Sequence, residues 1–389
     1  MRQIVEVAWD SLCKYGEELC GDWVKIIHNH RTLSVVLSDG LGSGVKANIL
    51  ATMTVEIASS MLARGATTDE VLETLAETLP ECRERHLAYA TFAALHIVDG
   101  REAHLVEYDS VPLILIRDDK VFDLPLVERE VAGRRVREGH FTLSEGDTLV
   151  MLSDGYIHAG VGGLYRFGWG WKNIATAVRR WTETHGDAWQ LVRSLRQTCL
   201  KLYDNKPGDD STAVGMRVRP SRALTIFTGP PSDPALDELA VRKLIEAPGQ
   251  KAICGGTTAQ VVARVLNRKL EVEWTPPGKR ERPGKPKLPP VARMEGIDLV
   301  TEGILTLSAT ADLLAQAETI HDLPPGSEAD KQLARMLLEA DDIYLIVGDA
   351  LNPNQLADVV RGKPMRQIYL EELIQALEKR YKQITVEHI

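Results

Sequence analysis

The chain has 389 residues, 44% of them apolar, with 46 basic against 55 acidic side chains and a net charge of −9. That length suggests two or three domains, and the apolar share is enough for sizeable cores and excludes a disordered chain. The acidic balance argues against nucleic acid as a partner, and no apolar run approaches the roughly 18 residues that span a bilayer.

The opening residues MRQIVEVAWD lack the apolar core of a signal peptide. The five cysteines (Cys13, Cys20, Cys82, Cys199 and Cys254) contain no Cys-x-x-Cys pair. A cytoplasmic protein with reduced thiols and no structural zinc is expected.

Residues 33–38 (LSVVLS) form an apolar run of strand length. A long helix is predicted over 45–63, with Val45, Ile49, Met53, Ile57 and Met61 at four-residue intervals. A second helix is predicted over 68–79, with Thr67 and Glu70 at capping-box spacing. Short β-rich stretches follow at 89–99, 103–109, 112–118, 120–126 and 148–154, and their serial spacing predicts antiparallel pairing. Helices at 171–184 and 187–203 and a strand at 211–218 complete an α+β region, with a boundary at Pro220–Ser221.

Beyond it the rhythm alternates. Strands at 223–229, 250–256 and 270–274 and helices at 233–246 and 257–268 predict a smaller α/β domain, 221–389, with a mainly parallel sheet. Residues 275–291 are rich in Pro, Lys and Arg and read as an extended loop. Its basic run Lys279–Lys287 reads as a solvated loop or as a site for an acidic partner. A strand and loop at 341–352 and a helix at 367–380 close the chain.

Two apolar runs end alike, SVVLSDGLGSG at 34–44 and TLVMLSDGYIHAG at 148–160. A strand leaving a core exposes the next side chain, here Asp39 or Asp154, and the glycine after it lets the backbone turn sharply. Asp209 and Asp210 precede the strand at 211–218, and Asp22 precedes the β-rich WVKII. Asp-Gly after a strand is a common turn. Two matched copies followed by Gly-Asp-Asp-Ser-Thr favour a site instead. Carboxylates meeting at one edge repel unless cations neutralise them, and oxygen-only ligands suit Mg²⁺ or Mn²⁺.

The ordered set (Gly-Asp at 21–22, Ser-Asp-Gly-x-Gly-x-Gly at 38–44, Ser-Asp-Gly at 153–155, and Asp-Asp-x-Thr at 209–212) resembles the metal-dependent serine/threonine phosphatases of the PPM (2C) type. Within them, GEELCGDW at 16–23 and LSDGLGSGVKA at 37–47 are similar to the branch of the sporulation phosphatase SpoIIE. The resemblance covers roughly residues 10–219. It implies an αββα sandwich holding two Mn²⁺ or Mg²⁺ ions. Asp39 would bridge them, the Gly40 carbonyl would bind one, and Asp154 and Asp209 would hold the other. Asp22 would act directly or through water, with Asp210 the second choice beside Asp209. A water activated by the two metals would attack phosphoserine or phosphothreonine.

The resemblance also implies a phosphorylated regulatory protein as partner, such as an anti-sigma-factor antagonist domain. A homodimer is compatible with it, and residues 221–389 would regulate or dock. A non-catalytic scaffold and a small-molecule sensor in the C-terminal half are the alternatives.

His158 stands where the branch often carries an acid, and reads as a general acid or a polar rim residue. GVGGLYRFGWGW at 160–171 reads as a flap or as a loop whose aromatics cap the core, with Arg166 within reach of a phosphate. Gly255, Gly256, Thr257 and Thr258 lie between a strand and a helix, and read as a tight turn or an anion site for a nucleotide or phosphorylated metabolite. Of the two Ser-Asp-Gly glycines, Gly40 is expected to matter more for metal binding, and Gly155 mainly for its turn.

Overall fold

Runs that bury both faces build the N-terminal unit, Met1–Pro220, around two facing sheets. The computed structural model describes residues 2–29, 31–78, 90–131, 134–163, 165–184, 186–272, 291–350, 359–360 and 363–389. In chain order the unit runs β1 (Gln3–Leu12), β2 (Asp22–His28), β3 (Thr32–Gly40), α1 (Gly44–Ala63), α2 (Thr68–Thr78), β4 (Ala90–Val98), β5 (Glu102–Tyr108), β6 (Ile114–Arg117) and β7 (Lys120–Val121). It continues with β8 (Val127–Val131), β9 (Arg134–Thr142), β10 (Thr148–Leu152), α3 (Asp154–His158), α4 (Trp171–Thr182), α5 (Ala188–Leu202) and β11 (Ser211–Pro220).

One sheet has the order β1-β11-β10-β6-β7, the other β2-β3-β4-β5-β9-β8, and neighbours pair antiparallel. Val35, Leu37, Leu95 and Leu105 of one sheet meet Leu149, Met151, Val214 and Met216 of the other in a shared core. Helices α4 and α5 cover the outer face of the first sheet through Ile174, Val178, Leu191 and Leu195. Helices α1 and α2 cover the second through Leu50, Val55, Val71 and Leu72. The result is an αββα sandwich.

Three sequence expectations change. The stripe Val45, Ile49 and Met53 of α1 does not face the sheet: these side chains are 60%, 51% and 37% exposed. Ala47, Ala51, Thr54 and Ala58 are buried instead, together with Leu50 and Val55, and the small side chains among them let the helix lie close to β3, while Ile57 and Met61 of the expected stripe pack partly buried against the core. The strand expected over 120–126 is Lys120–Val121 alone. The strand expected over 148–154 stops at Leu152, and Asp154 opens the short helix α3. The capping box is formed: Glu70 accepts from the Thr67 amide at 2.8 Å, and the Glu70 amide donates back to Thr67 Oγ1 at 3.3 Å.

The C-terminal unit, Ser221–Ile389, contains β12 (Ala223–Thr228), α6 (Asp237–Glu246), β13 (Gln250–Cys254), α7 (Gly256–Leu266), β14 (Glu271–Val272), β15 (Ala292–Met294), β16 (Ile297–Thr301) and α8 (Ile304–Gln316). It continues with α9 (Ala329–Glu339), β17 (Asp342–Val347), a two-stranded ribbon of β18 (Val359–Val360) and β19 (Lys363–Pro364), α10 (Met365–Glu378) and β20 (Gln383–His388). Strands β16-β13-β12-β17-β20 lie parallel in that spatial order, with β15 and β14 antiparallel at one edge. Helices α6 and α7 pack on one face through Val241, Leu244 and Val262, and α8, α9 and α10 on the other through Leu307, Leu333 and Leu373. Crossing from β16 back to β17 beside β12 moves the helices to the opposite face, the doubly wound arrangement. Of the basic Pro-rich stretch at 275–291, residues 275–290, including Lys279–Lys287, lie outside the described residues.

Candidate functional site

Register alone makes Asp22 and Asp39 neighbours, since β2 and β3 pair antiparallel with Asp22 opposite Asp39 and Thr91 of β4 on Asp39's far side. Like charges directly opposite in a sheet are unfavourable and mark a position kept for chemistry rather than for pairing. The facing sheet brings the other acids. β10 and β11 pair with Leu152 opposite Ala213, so Asp154 just after β10 and Asp209–Asp210 just before β11 lie at the same end.

The two serines of Ser-Asp-Gly have different duties. Ser38 donates to the Thr91 carbonyl at 2.8 Å and ties β3 to β4. Ser153 donates to Asp22 Oδ2 at 2.7 Å, across 131 residues of chain, and accepts from the Thr212 amide at 2.8 Å. That places a hydroxyl bridge between the sheets. Ser153 gives no cap to α3, because its hydroxyl is committed to Asp22. With Asp22 expected as a metal ligand, Ser153→Ala is expected to leave the fold intact and to weaken Mn²⁺ binding by roughly ten- to a hundred-fold, since partners of a ligand orient it; titration calorimetry of wild type and variant measures it.

Crowding sets the electrostatics. Burial, and then the charges of Asp22, Asp154 and Asp209, push the Asp39 carboxyl up to about 9, and it lies within hydrogen-bonding reach of Asp154. Burial pushes Asp22 up to about 7, against the stabilising hydrogen bonds from Ser153 and Thr212. Burial and then Asp154 raise Asp209, while the Asp210 amide and Lys14 pull it down. Asp210 turns another way. Its Oδ1 accepts from the Lys14 amide at 3.0 Å, and its side chain lies against Gly21.

The cleft between the sheets is about 60 Å³, room for a few water-sized bodies. It is lined by Leu37, Asp39, Thr91, Ala93, Asp109, Ser110, Val111, Leu152, Ser153 and Asp154. None of these is Lys, Arg or His. Asp109 and Ser110 carry no motif and went unread in the sequence. They enter because the chain crosses from β5 in one sheet to β6 in the other just there.

Asp22 Oδ1 and Asp210 Oδ2 are sheltered from solvent and accept from no donor among the described residues. A buried acceptor left so costs about 1–3 kcal/mol unless something electropositive reaches it. Among the described residues, however, no three acid, histidine or cysteine side chains already converge on one point. The carboxylates surround the cleft rather than closing on a centre.

Residues 29–219 match the family model described as Stage II sporulation protein E. The N-terminal unit is a SpoIIE-like domain of the PPM phosphatase family. No curated protein matches the chain in sequence. Among solved structures, the SpoIIE phosphatase domain with a fragment of its regulatory domain, from Bacillus subtilis, is 19% identical with a TM-score of 0.47, over 56% of this chain and 64% of that one. The chain thus spans less than two thirds of that structure's length. The RsbU and RsbW domains of a Mycobacterium tuberculosis protein are 19% identical with a TM-score of 0.43, over 55% of this chain and 61% of that one. RsbX in complex with magnesium is 18% identical with a TM-score of 0.39, over 55% of this chain and 95% of that one.

Other expected residues of the SpoIIE-like unit do not line its cleft. His158 is exposed at the end of α3 and does not line the cleft. In the glycine-rich stretch Trp169 is buried and Trp171 donates to the Pro112 carbonyl at 2.8 Å, so these two cap the core. Phe167 is 80% exposed, and Arg166 lies over its ring rather than in the cleft. In the C-terminal unit β13 ends at Cys254 and α7 begins at Gly256. The Gly255 amide donates to the Thr301 carbonyl at 2.9 Å and Thr258 is buried, so only Gly256 and Thr257 of that turn are well exposed. Among the described residues no helix is long and apolar enough to cross a membrane.

Proposed function

We propose that residues 1–220 hydrolyse phosphoserine or phosphothreonine on a regulatory protein with the help of divalent metal ions, and that residues 221–389 modulate or dock. The observation that carries this reading is the sheltered Asp22 Oδ1, which accepts from no donor among the described residues, on a carboxylate opposite Asp39, which with Asp154 lines a cleft that has no cationic side chain. An all-oxygen donor set of this kind fits Mg²⁺ or Mn²⁺. When bound, two such ions supply water activation and a clamp on the phosphoryl oxygens.

This chain's residues then have separable tasks. Asp39, with the Gly40 carbonyl next to it, would stand between the two ions. Asp154 and Asp209 would serve one of them, and Asp22, held by Ser153, would approach the other. Asp210, bonded to the Lys14 amide, would position Asp22's side of the cleft rather than share Asp209's task. The proton that burial and crowding favour on Asp39 would leave as positive charge arrives.

Asp154→Ala is expected to lower Mn²⁺-dependent hydrolysis of p-nitrophenyl phosphate by at least about a thousand-fold while the circular dichroism spectrum stays that of wild type. Unchanged turnover would remove Asp154 from the site. Wild type that binds Mn²⁺ without turnover would favour a binding scaffold instead.

A further inference from the structure

The cleft that holds the acids has to receive a phosphoryl dianion, yet none of the side chains lining it is Lys, Arg or His. Among its lining side chains the uncharged donors are the hydroxyls of Thr91, Ser110 and Ser153. Ser153 is committed to Asp22. Ser110 is not committed: its Oγ is sheltered and has no hydrogen-bond partner among the described residues.

Ser110 is also held in place for the task. It follows Asp109, whose backbone is left-handed at φ 46°, in the crossover from β5 to β6. The Asp109 amide donates to the Arg135 carbonyl at 3.2 Å, and the buried Glu107 accepts from the Leu113 amide at 2.6 Å, so both ends of the crossover are fixed. A hydroxyl that is not held by a partner moves between its three staggered positions at little cost, and Ser110 is one of the residues that line the cleft.

We infer that Ser110 is a phosphate-contacting residue, donating its hydroxyl to a non-bridging oxygen of the substrate's phosphoryl group and of the product phosphate. The inference rests on the phosphatase reading for the identity of the ligand, but binding tests it without turnover. A hydroxyl donating to a charged oxygen is replaced by nothing in Ser110→Ala, and the side chain is too small for its removal to leave a cavity that threatens the fold.

The test is calorimetric titration of inorganic phosphate into Mn²⁺-loaded wild type, Ser110→Ala and Ser110→Thr, with Mn²⁺ affinity measured separately and thermal midpoints compared. Expected are a roughly ten-fold or greater loss of phosphate affinity in Ser110→Ala, at least partial retention in Ser110→Thr, and Mn²⁺ affinity unchanged in both. The KM for p-nitrophenyl phosphate should rise in parallel. Equal phosphate affinity in wild type and Ser110→Ala overturns the inference, as does a loss of Mn²⁺ affinity that accounts for the whole effect. Absence of turnover in wild type would sink the phosphatase reading alone, since the phosphate titration would still decide Ser110. Wild type that binds Mn²⁺ but no phosphate would overturn the inference itself.

Discussion

Asp39→Asn is expected to abolish Mn²⁺-dependent turnover and, in EDTA at pH 8, to raise the thermal midpoint of the N-terminal unit above that of wild type. The two effects have one origin. Burial and the charges of Asp22, Asp154 and Asp209 lift the Asp39 carboxyl from 3.8 to about 9. An acid whose folded value lies above its unfolded value favours the fold while it is protonated. Its contribution is therefore full below about pH 4 and is lost as pH rises toward about 9. Metal-free wild type should lose stability across that window, and the asparagine variant should lose less. The difference at pH 8 is on the order of a few kcal/mol, at most about 6, which is a shift of roughly ten degrees in the midpoint. Mn²⁺ should reverse the ranking, because ligand binding to the native state stabilises wild type and the variant has lost the side chain that draws the ions in. Differential scanning calorimetry with and without Mn²⁺, at pH 5 and pH 8, measures all four states. A variant no more stable than wild type in EDTA at pH 8 would mean that Asp39 is not strained by its neighbours.

The acids at strand ends were legible because each closes an apolar run that the sheet buries, as at Leu37–Asp39 and Leu152–Asp154. The contacts that tune them were not. The Ser153–Asp22 bond joins strands of two different sheets, and nothing within either motif specifies the partner. Ser110 follows no motif at all; its place follows from where the chain changes sheets. The C-terminal parallel sheet was legible from its alternation, whereas β8 and β9 were missed because VEREV and RRVREGHFT hide the alternation behind Arg and Glu. Helix α8, ILTLSATADLLAQ, is apolar over most of its surface and so lacks the single stripe that marks a surface helix. Helix α1 misled for the opposite reason. Val45, Ile49 and Met53 are exposed while Ile57 and Met61 pack against the core, and the sheet-facing side mixes Ala47, Ala51 and Ala58 with Leu50 and Val55, so hydrophobicity misplaced the packing face only in the first half of the helix.

Gly155→Ala is expected to damage the site as badly as Gly40→Ala, which replaces the sequence-based ranking of the two glycines. A Cβ on Gly40 would lie 2.9 Å from Ala47 Cα and 2.7 Å from its carbonyl carbon, so β3 and α1 would have to separate. A Cβ on Gly155 would lie 2.9 Å from the Asp210 carbonyl carbon and closer still to its oxygen and to Ser211 Oγ. The two Asp210 atoms are backbone at the entrance to β11, and moving them moves Asp209 and Asp210. The Gly155 carbonyl is itself held by the Tyr203 hydroxyl at 2.7 Å, so α3 cannot slide away freely. Overpacking of this kind costs about 1–3 kcal/mol. Each alanine should therefore lower the thermal midpoint by roughly 2–12 °C and weaken Mn²⁺ binding about ten-fold or more. Gly186→Ala, where nothing lies within 4 Å of the added carbon, should stay within about 0.5 kcal/mol of wild type. Thermal melts and Mn²⁺ calorimetry on the three variants decide the matter. Wild-type Mn²⁺ affinity and stability in Gly155→Ala would restore the view that this glycine serves only its turn.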